Sequence, residues 1–101
     1  MSVGGSSARP AHAALRRIMT IRNRRGLHAR AAARFVKCAE QFDAEITVAK
    51  KDVIVSGLSI MGLMMLAAGP GSMIEVVASG AEAEAALDAL EALVDTKFDE
   101  E

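Results

Sequence analysis

Over residues 81–94 the apolar positions Ala83, Ala86, Leu87, Leu90 and Val94 recur at helical spacing, with Glu82, Glu84, Asp88, Glu91 and Asp95 between them. That pattern predicts an amphipathic helix with one dry stripe and one wet face. Ser79-Gly80-Ala81-Glu82 fits a capping box that opens it. Residues 16–22 read as a strand with Met19 and Ile21 inward, followed by a polar turn over residues 23–26. Over residues 29–41 the apolar residues Ala29, Ala32, Ala33, Val36 and Ala39 predict a second, alanine-rich helix that can pack closely. Residues 44–50 alternate, with Ala44, Ile46 and Val48 on one face and Glu45 and Thr47 on the other. Lys50-Lys51-Asp52 then turns into Val53-Ile54-Val55, a hairpin that Ser56-Gly57 ends. Ser59 is placed to cap a short helix through Leu66, and residues 67–71 form a tight loop around Gly69-Pro70-Gly71. Residues 73–78 predict a strand with Ile74 and Val76 inward. The order strand, helix, strand, strand, helix, strand, helix suits an α+β sandwich, an antiparallel sheet covered on one face by helices. Residues 1–14 are rich in Ser, Gly and Ala and lack periodicity, so they read as a disordered tail in which His12 has no partner.

Composition narrows this picture. A chain of 101 residues supports one domain with a single two-layer core. It is 51% hydrophobic but only 3% aromatic, so the core must be built from aliphatic side chains and methionine. One cysteine, Cys38, forbids an internal disulfide and fits a reducing compartment. Its place in an apolar helix pattern predicts a buried, inert thiol. No apolar run approaches a membrane span and the N-terminus lacks a signal-peptide core, so a cytoplasmic location is expected. The charge is polarised: residues 1–51 hold eleven Lys/Arg and three Asp/Glu, whereas residues 52–101 hold one Lys and ten Asp/Glu. Arg22, Arg24, Arg25, Arg30, Arg34 and Lys37 all fall close to His28 in the chain. Such a cluster can steer an anionic partner.

Candidate chemistry centres on Gly26-Leu27-His28-Ala29-Arg30-Ala31-Ala32-Ala33, where a loop becomes a helix. Helix N-termini present free N–H groups and a partial positive charge, and so hold phosphate. Arginine adds a fork of donors matched to phosphate oxygens. Neutral imidazole offers a nucleophilic nitrogen near pH 7. Together they can carry a phosphoryl group as a covalent intermediate. His12, His28 and Cys38 show no metal-ligand spacing, and no cofactor is expected.

Two motifs, Arg25-Gly26-Leu27-His28-Ala29-Arg30 and Ser56-Gly57-Leu58-Ser59-Ile60-Met61-Gly62-Leu63-Met64-Met65-Leu66, with Phe42-Asp43-Ala44-Glu45, resemble the histidine-containing phosphocarrier (HPr) family of the phosphoenolpyruvate-dependent phosphotransferase system. The resemblance runs from Leu15 to Phe98, within a domain taken as residues 15–101. It implies an open-faced βαββαβα sandwich with four antiparallel strands in the order 1-4-2-3 and three helices on one face. It implies that His28 is phosphorylated, on Nδ1, with Ala29 and Arg30 binding phosphate. Enzyme I would supply the phosphoryl group and an enzyme IIA would take it, so the chain would be a stoichiometric carrier and a monomer, not an autonomous enzyme. Ser59 matches a regulatory serine, the target of a dedicated kinase in some bacteria. Ile60, Met61 and Met64 match the docking surface, and Arg30, Arg34 and Lys37 are expected to form a basic rim around it; Leu63, Leu66 and Met65 are assigned to the core. The methionine-rich second motif, the alanine-rich last helix and the Phe98-Asp99-Glu100-Glu101 tail look more like the nitrogen-regulatory branch than the sugar branch. Ala31 stands where the family usually has proline, which should spare the helix but loosen the loop beside His28. Two alternatives stay in view. A nucleic-acid-binding module is suggested by the basic first half but weakened by the absence of strand aromatics. A regulatory domain that binds targets without phosphotransfer would be separated by substituting His28.

Overall fold

The computed structural model describes residues 13–100. Residues 1–12, with His12 and most of the expected tail, and Glu101 lie outside the described residues. The elements are β1 (Leu15–Thr20), α1 (Ala29–Ala39), β2 (Glu45–Lys50), β3 (Val53–Ser56), α2 (Ile60–Met65), β4 (Met73–Ser79) and α3 (Ala83–Asp95). The strands form one antiparallel sheet in the order β1-β4-β2-β3. β4 lies between β1 and β2, which pairs the first and the last of the described strands.

One face of the sheet is dry. Met19, Ile46, Val48, Ile74, Val76 and Ala78 point from it into a core closed by Ala31, Ala32 and Phe35 of α1, Leu63 of α2 and the stripe of α3. That stripe is Ala83, Ala86, Leu87, Leu90 and Val94, the set the pattern predicts. The other face is open: Ile18, Ile54 and Met73 remain exposed on it.

Four expectations need correction. The buried face of α1 is Ala31, Ala32, Phe35 and Ala39, while Ala29 is exposed and Ala33 and Val36 are half-buried. Alanines on every side let any face look apolar; Phe35, fully buried, decides which one turns inward. The capping box before α3 does not form. Glu82, not Ser79, is the N-cap, and its carboxylate accepts from the Asp43 backbone N–H at 2.7 Å, tying two loops together instead. Met65 is 71% exposed, because a six-residue helix buries only one face and Leu63 takes it. Cys38 is half-buried rather than enclosed, and burial still pushes its thiol pKa up.

Candidate functional site

The turn after β1 is built around Asn23 and Gly26. Gly26 takes a positive φ of 66°, and a Cβ there would collide with the Ala68 carbonyl oxygen. The adjoining N–H of Leu27 donates to that oxygen at 2.9 Å. The loop before β4 therefore props the turn that leads into α1. Asn23, fully buried, donates from Nδ2 to the Gly26 carbonyl at 2.8 Å, and Leu27 is buried beside it. His28 follows as the N-cap of α1 with an extended backbone and no side-chain capping bond. Its carbonyl accepts from Ala32 N at 2.8 Å, so the helix starts directly at the histidine.

Around His28 lies an open pocket of about 490 Å³ lined by Arg24, Arg25, Arg30 and Arg34 together with Asp99 and Glu100. Ala29 and Arg30 are exposed in the first turn of α1. Ala31, where the resemblance leads one to expect proline, is fully buried against the core. Arg22 does not join the cluster; it reaches Asp95 of α3 at 3.4 Å. Arg34 departs from its expected role as free rim. It is half-buried, and its guanidinium donates to the Phe98 carbonyl oxygen. Helical spacing places it one turn after Arg30, on the side the C-terminal segment covers. Lys37 is exposed.

That C-terminal segment is the part sequence reasoning missed. After α3 the backbone turns back through Lys97, Phe98 and Asp99, all at left-handed φ values of 60°, 55° and 60°. Phe98 is fully buried and anchors the turn. Glu100 then reaches the site: its Oε2 lies 2.5 Å from His28 Nε2, and its Oε1 accepts from Asn23 Nδ2 at 3.0 Å. Burial works against ionising Glu100, but the bonds from Asn23 and His28, the charge of His28 when it is protonated and the nearby charge of Arg34 outweigh it and hold its pKa below the usual value. The only signal in the chain was one phenylalanine beyond the last helix, among acidic residues.

On α2, the Ser59 hydroxyl accepts from Gly62 N at 2.9 Å, the predicted cap. Ile60, Met61 and Met64 are exposed, as are Leu58 and Met65, so the apolar surface is wider than the three residues expected. α1 and α2 pack together. Among the described residues no cluster of His, Cys, Asp and Glu could hold a metal ion, and no helix is long and apolar enough to cross a membrane.

Comparison with known proteins places this arrangement. Residues 15–96 match the family described as the PTS HPr component phosphorylation site. Phosphocarrier protein NPr of Shewanella violacea is 50% identical over 86 residues, covering 85% of this chain and 94% of that one. Phosphocarrier protein HPr of Treponema pallidum is 45% identical over 86 residues, covering 83% and 98%. The crystal structure of HPr from Thermoanaerobacter tengcongensis superposes with a TM-score of 0.82 at 40% identity, covering 86% of this chain and 98% of that one. The chain belongs to the HPr family, the phosphocarriers of the phosphotransferase system.

Proposed function

We propose that His28 carries the phosphoryl group, on Nδ1, taking it from phosphorylated enzyme I and passing it to an enzyme IIA. The observation that supports this most is the position of His28 as N-cap of α1 at the mouth of an arginine-lined pocket. Oriented N–H groups at Ala29 and the guanidinium of Arg30 favour the charge that develops on the transferring phosphoryl oxygens. Catalytic power resides in the partners, and this chain supplies the accepting nitrogen. Ile60, Met61 and Met64 form the apolar centre of the docking surface, with Arg30 and Lys37 at its rim. Ser59 is the regulatory position, where phosphorylation would set a charge beside that apolar centre. The protein acts in the cytoplasm. Its partners are of the nitrogen-regulatory type, a reading supported by the relative named NPr and by the acidic tail.

Incubation with phosphoenolpyruvate and a nitrogen-type enzyme I, followed by intact mass, tests the reading. The wild type should gain one acid-labile phosphoryl group and His28→Ala none. Uptake by His28→Ala would overturn the assignment. Transfer at equal rates to nitrogen-type and sugar-type enzyme IIA would overturn the branch.

A further inference from the structure

We propose that Asn23 and Glu100 are positioning residues that choose which ring nitrogen of His28 reacts: they pin the proton on Nε2 and so leave the lone pair on Nδ1. The inference rests on the phosphocarrier reading and adds to it residues outside the two motifs. It begins with what each group can do. Asn23 Nδ2 donates twice, to the Gly26 carbonyl and to Glu100 Oε1. Rotating that amide by half a turn would break both bonds, so its donor face toward Glu100 is fixed. Glu100, kept ionised by these contacts, can only accept. Its other oxygen faces His28 Nε2 at 2.5 Å, so Nε2 must donate. Neutral imidazole has one N–H, and with that proton on Nε2 the lone pair lies on Nδ1.

Transfer then needs no proton movement. As the Nδ1–P bond forms, the bond between phosphorus and the donor's leaving nitrogen breaks, and that nitrogen departs with the electron pair. The ring of His28 keeps its Nε2 proton and gains positive charge, which the Glu100 carboxylate faces. On donation the Nδ1–P bond breaks, its electron pair returns to Nδ1, and neutral imidazole with Nε2–H is restored. A carboxylate behind a histidine that fixes the tautomer and stabilises the cation serves hydrolytic triads in the same way.

The turn that delivers Glu100 is held against a local cost. Three successive non-glycine residues at left-handed φ are each unfavourable. Buried Phe98 and the Arg34 bond to its carbonyl offset this. Such a conformation persists where the surroundings over-determine it.

Two substitutions in the full-length protein separate this role from simple tail anchoring. Glu100→Ala removes the acceptor and leaves the tautomer unconstrained. In Glu100→Gln the carboxamide oxygen must face the fixed Asn23 donor, which turns its NH₂ toward Nε2 and drives the proton to Nδ1. Nitrogen-15 NMR of the unphosphorylated imidazole at alkaline pH should show Nε2–H in the wild type, a mixture in Glu100→Ala and Nδ1–H in Glu100→Gln. Phosphoryl uptake from phosphorylated enzyme I should fall about tenfold in Glu100→Ala and further, about a hundredfold, in Glu100→Gln, the scale of one or two charge-assisted bonds. With potassium phosphoramidate as donor, Glu100→Ala should acquire some Nε2-phosphohistidine, which the wild type lacks. Nδ1–H in the wild type, or Glu100→Gln taking up phosphate as fast as Glu100→Ala, overturns the proposal. Faster uptake in Glu100→Ala also overturns it, since Glu100 would then be blocking the anion pocket. Absence of uptake in the wild type would instead defeat the phosphocarrier reading, while the tautomer measurement would still stand.

Discussion

Arg30 and Arg34 stand one helical turn apart and do different work. Arg30 is exposed at the pocket, while Arg34 is spent on the Phe98 carbonyl. Arg30→Ala should therefore change stability by no more than about 0.5 kcal/mol. It should slow phosphoryl uptake by about tenfold to a hundredfold, the scale of a lost charge-assisted bond. A urea melt and a rapid-quench transfer assay check the two halves. Ser59 offers a second separation. As a cap its hydroxyl serves the Gly62 N–H, and Ser59→Ala should cost about 1 kcal/mol. Ser59→Asp can still cap the helix but sets a charge next to exposed Ile60 and Met61. That variant should melt like the wild type and accept phosphate more slowly from enzyme I. An unchanged rate would remove Ser59 from regulation.

At the scale of elements, the left-handed turn over Lys97, Phe98 and Asp99 depends on its one apolar anchor. Phe98→Ala should cost about 3–5 kcal/mol, as large-to-small core changes do, and should release Glu100 from His28. Loss of the Nε2–H signal's protection in NMR would accompany the lower melting point. The docked tail also carries a pH dependence. Glu100 has a depressed pKa in the folded protein, so its stabilisation is fully present above the ordinary value of 4.5. It is lost as the pH falls through the lower folded-state value. Hydrogen exchange of residues 97–100 should accelerate over that acid window, and Glu100→Gln should remove that dependence. The α1 helix shows the same reliance on a single large side chain. Its alanines tolerate any orientation, and Phe35 selects one.

Across the whole molecule, the charge polarity of the sequence is partly consumed inside the fold. Arg16 pairs with Glu75, Arg17 with Asp88 and Glu91, and Arg22 with Asp95, each joining the basic half to the acidic half. What stays concentrated is the arginine group around His28, the N-cap of α1, and α1 packs against α2, whose apolar residues are exposed. Surface charge steers encounter and is screened within about 8 Å at physiological salt, whereas apolar burial holds a formed complex. Lys37→Glu should thus slow association with enzyme I and flatten its salt dependence. Met61→Ala should speed dissociation and leave the salt dependence alone. Stopped-flow kinetics on the two variants distinguish them, and an unchanged dissociation rate for Met61→Ala would move the docking surface elsewhere.

The element order, the strand faces and the stripe of α3 were legible in the sequence, because periodic burial writes itself as period 2 or 3.6 wherever large apolar and charged residues alternate. The placement of His28 and Arg30 at the start of α1, and the cap at Ser59, were legible too, since each lies within a few residues of the helix start concerned. Contacts between residues far apart in the chain leave no such mark. Asn23 looked like an ordinary turn residue, Arg34 like a free surface charge and Glu100 like part of an acidic end. Only the return of the chain over buried Phe98 brings these three together at His28. That return is set by the packing of one aromatic side chain into a core assembled from every other element, and no local pattern encodes it.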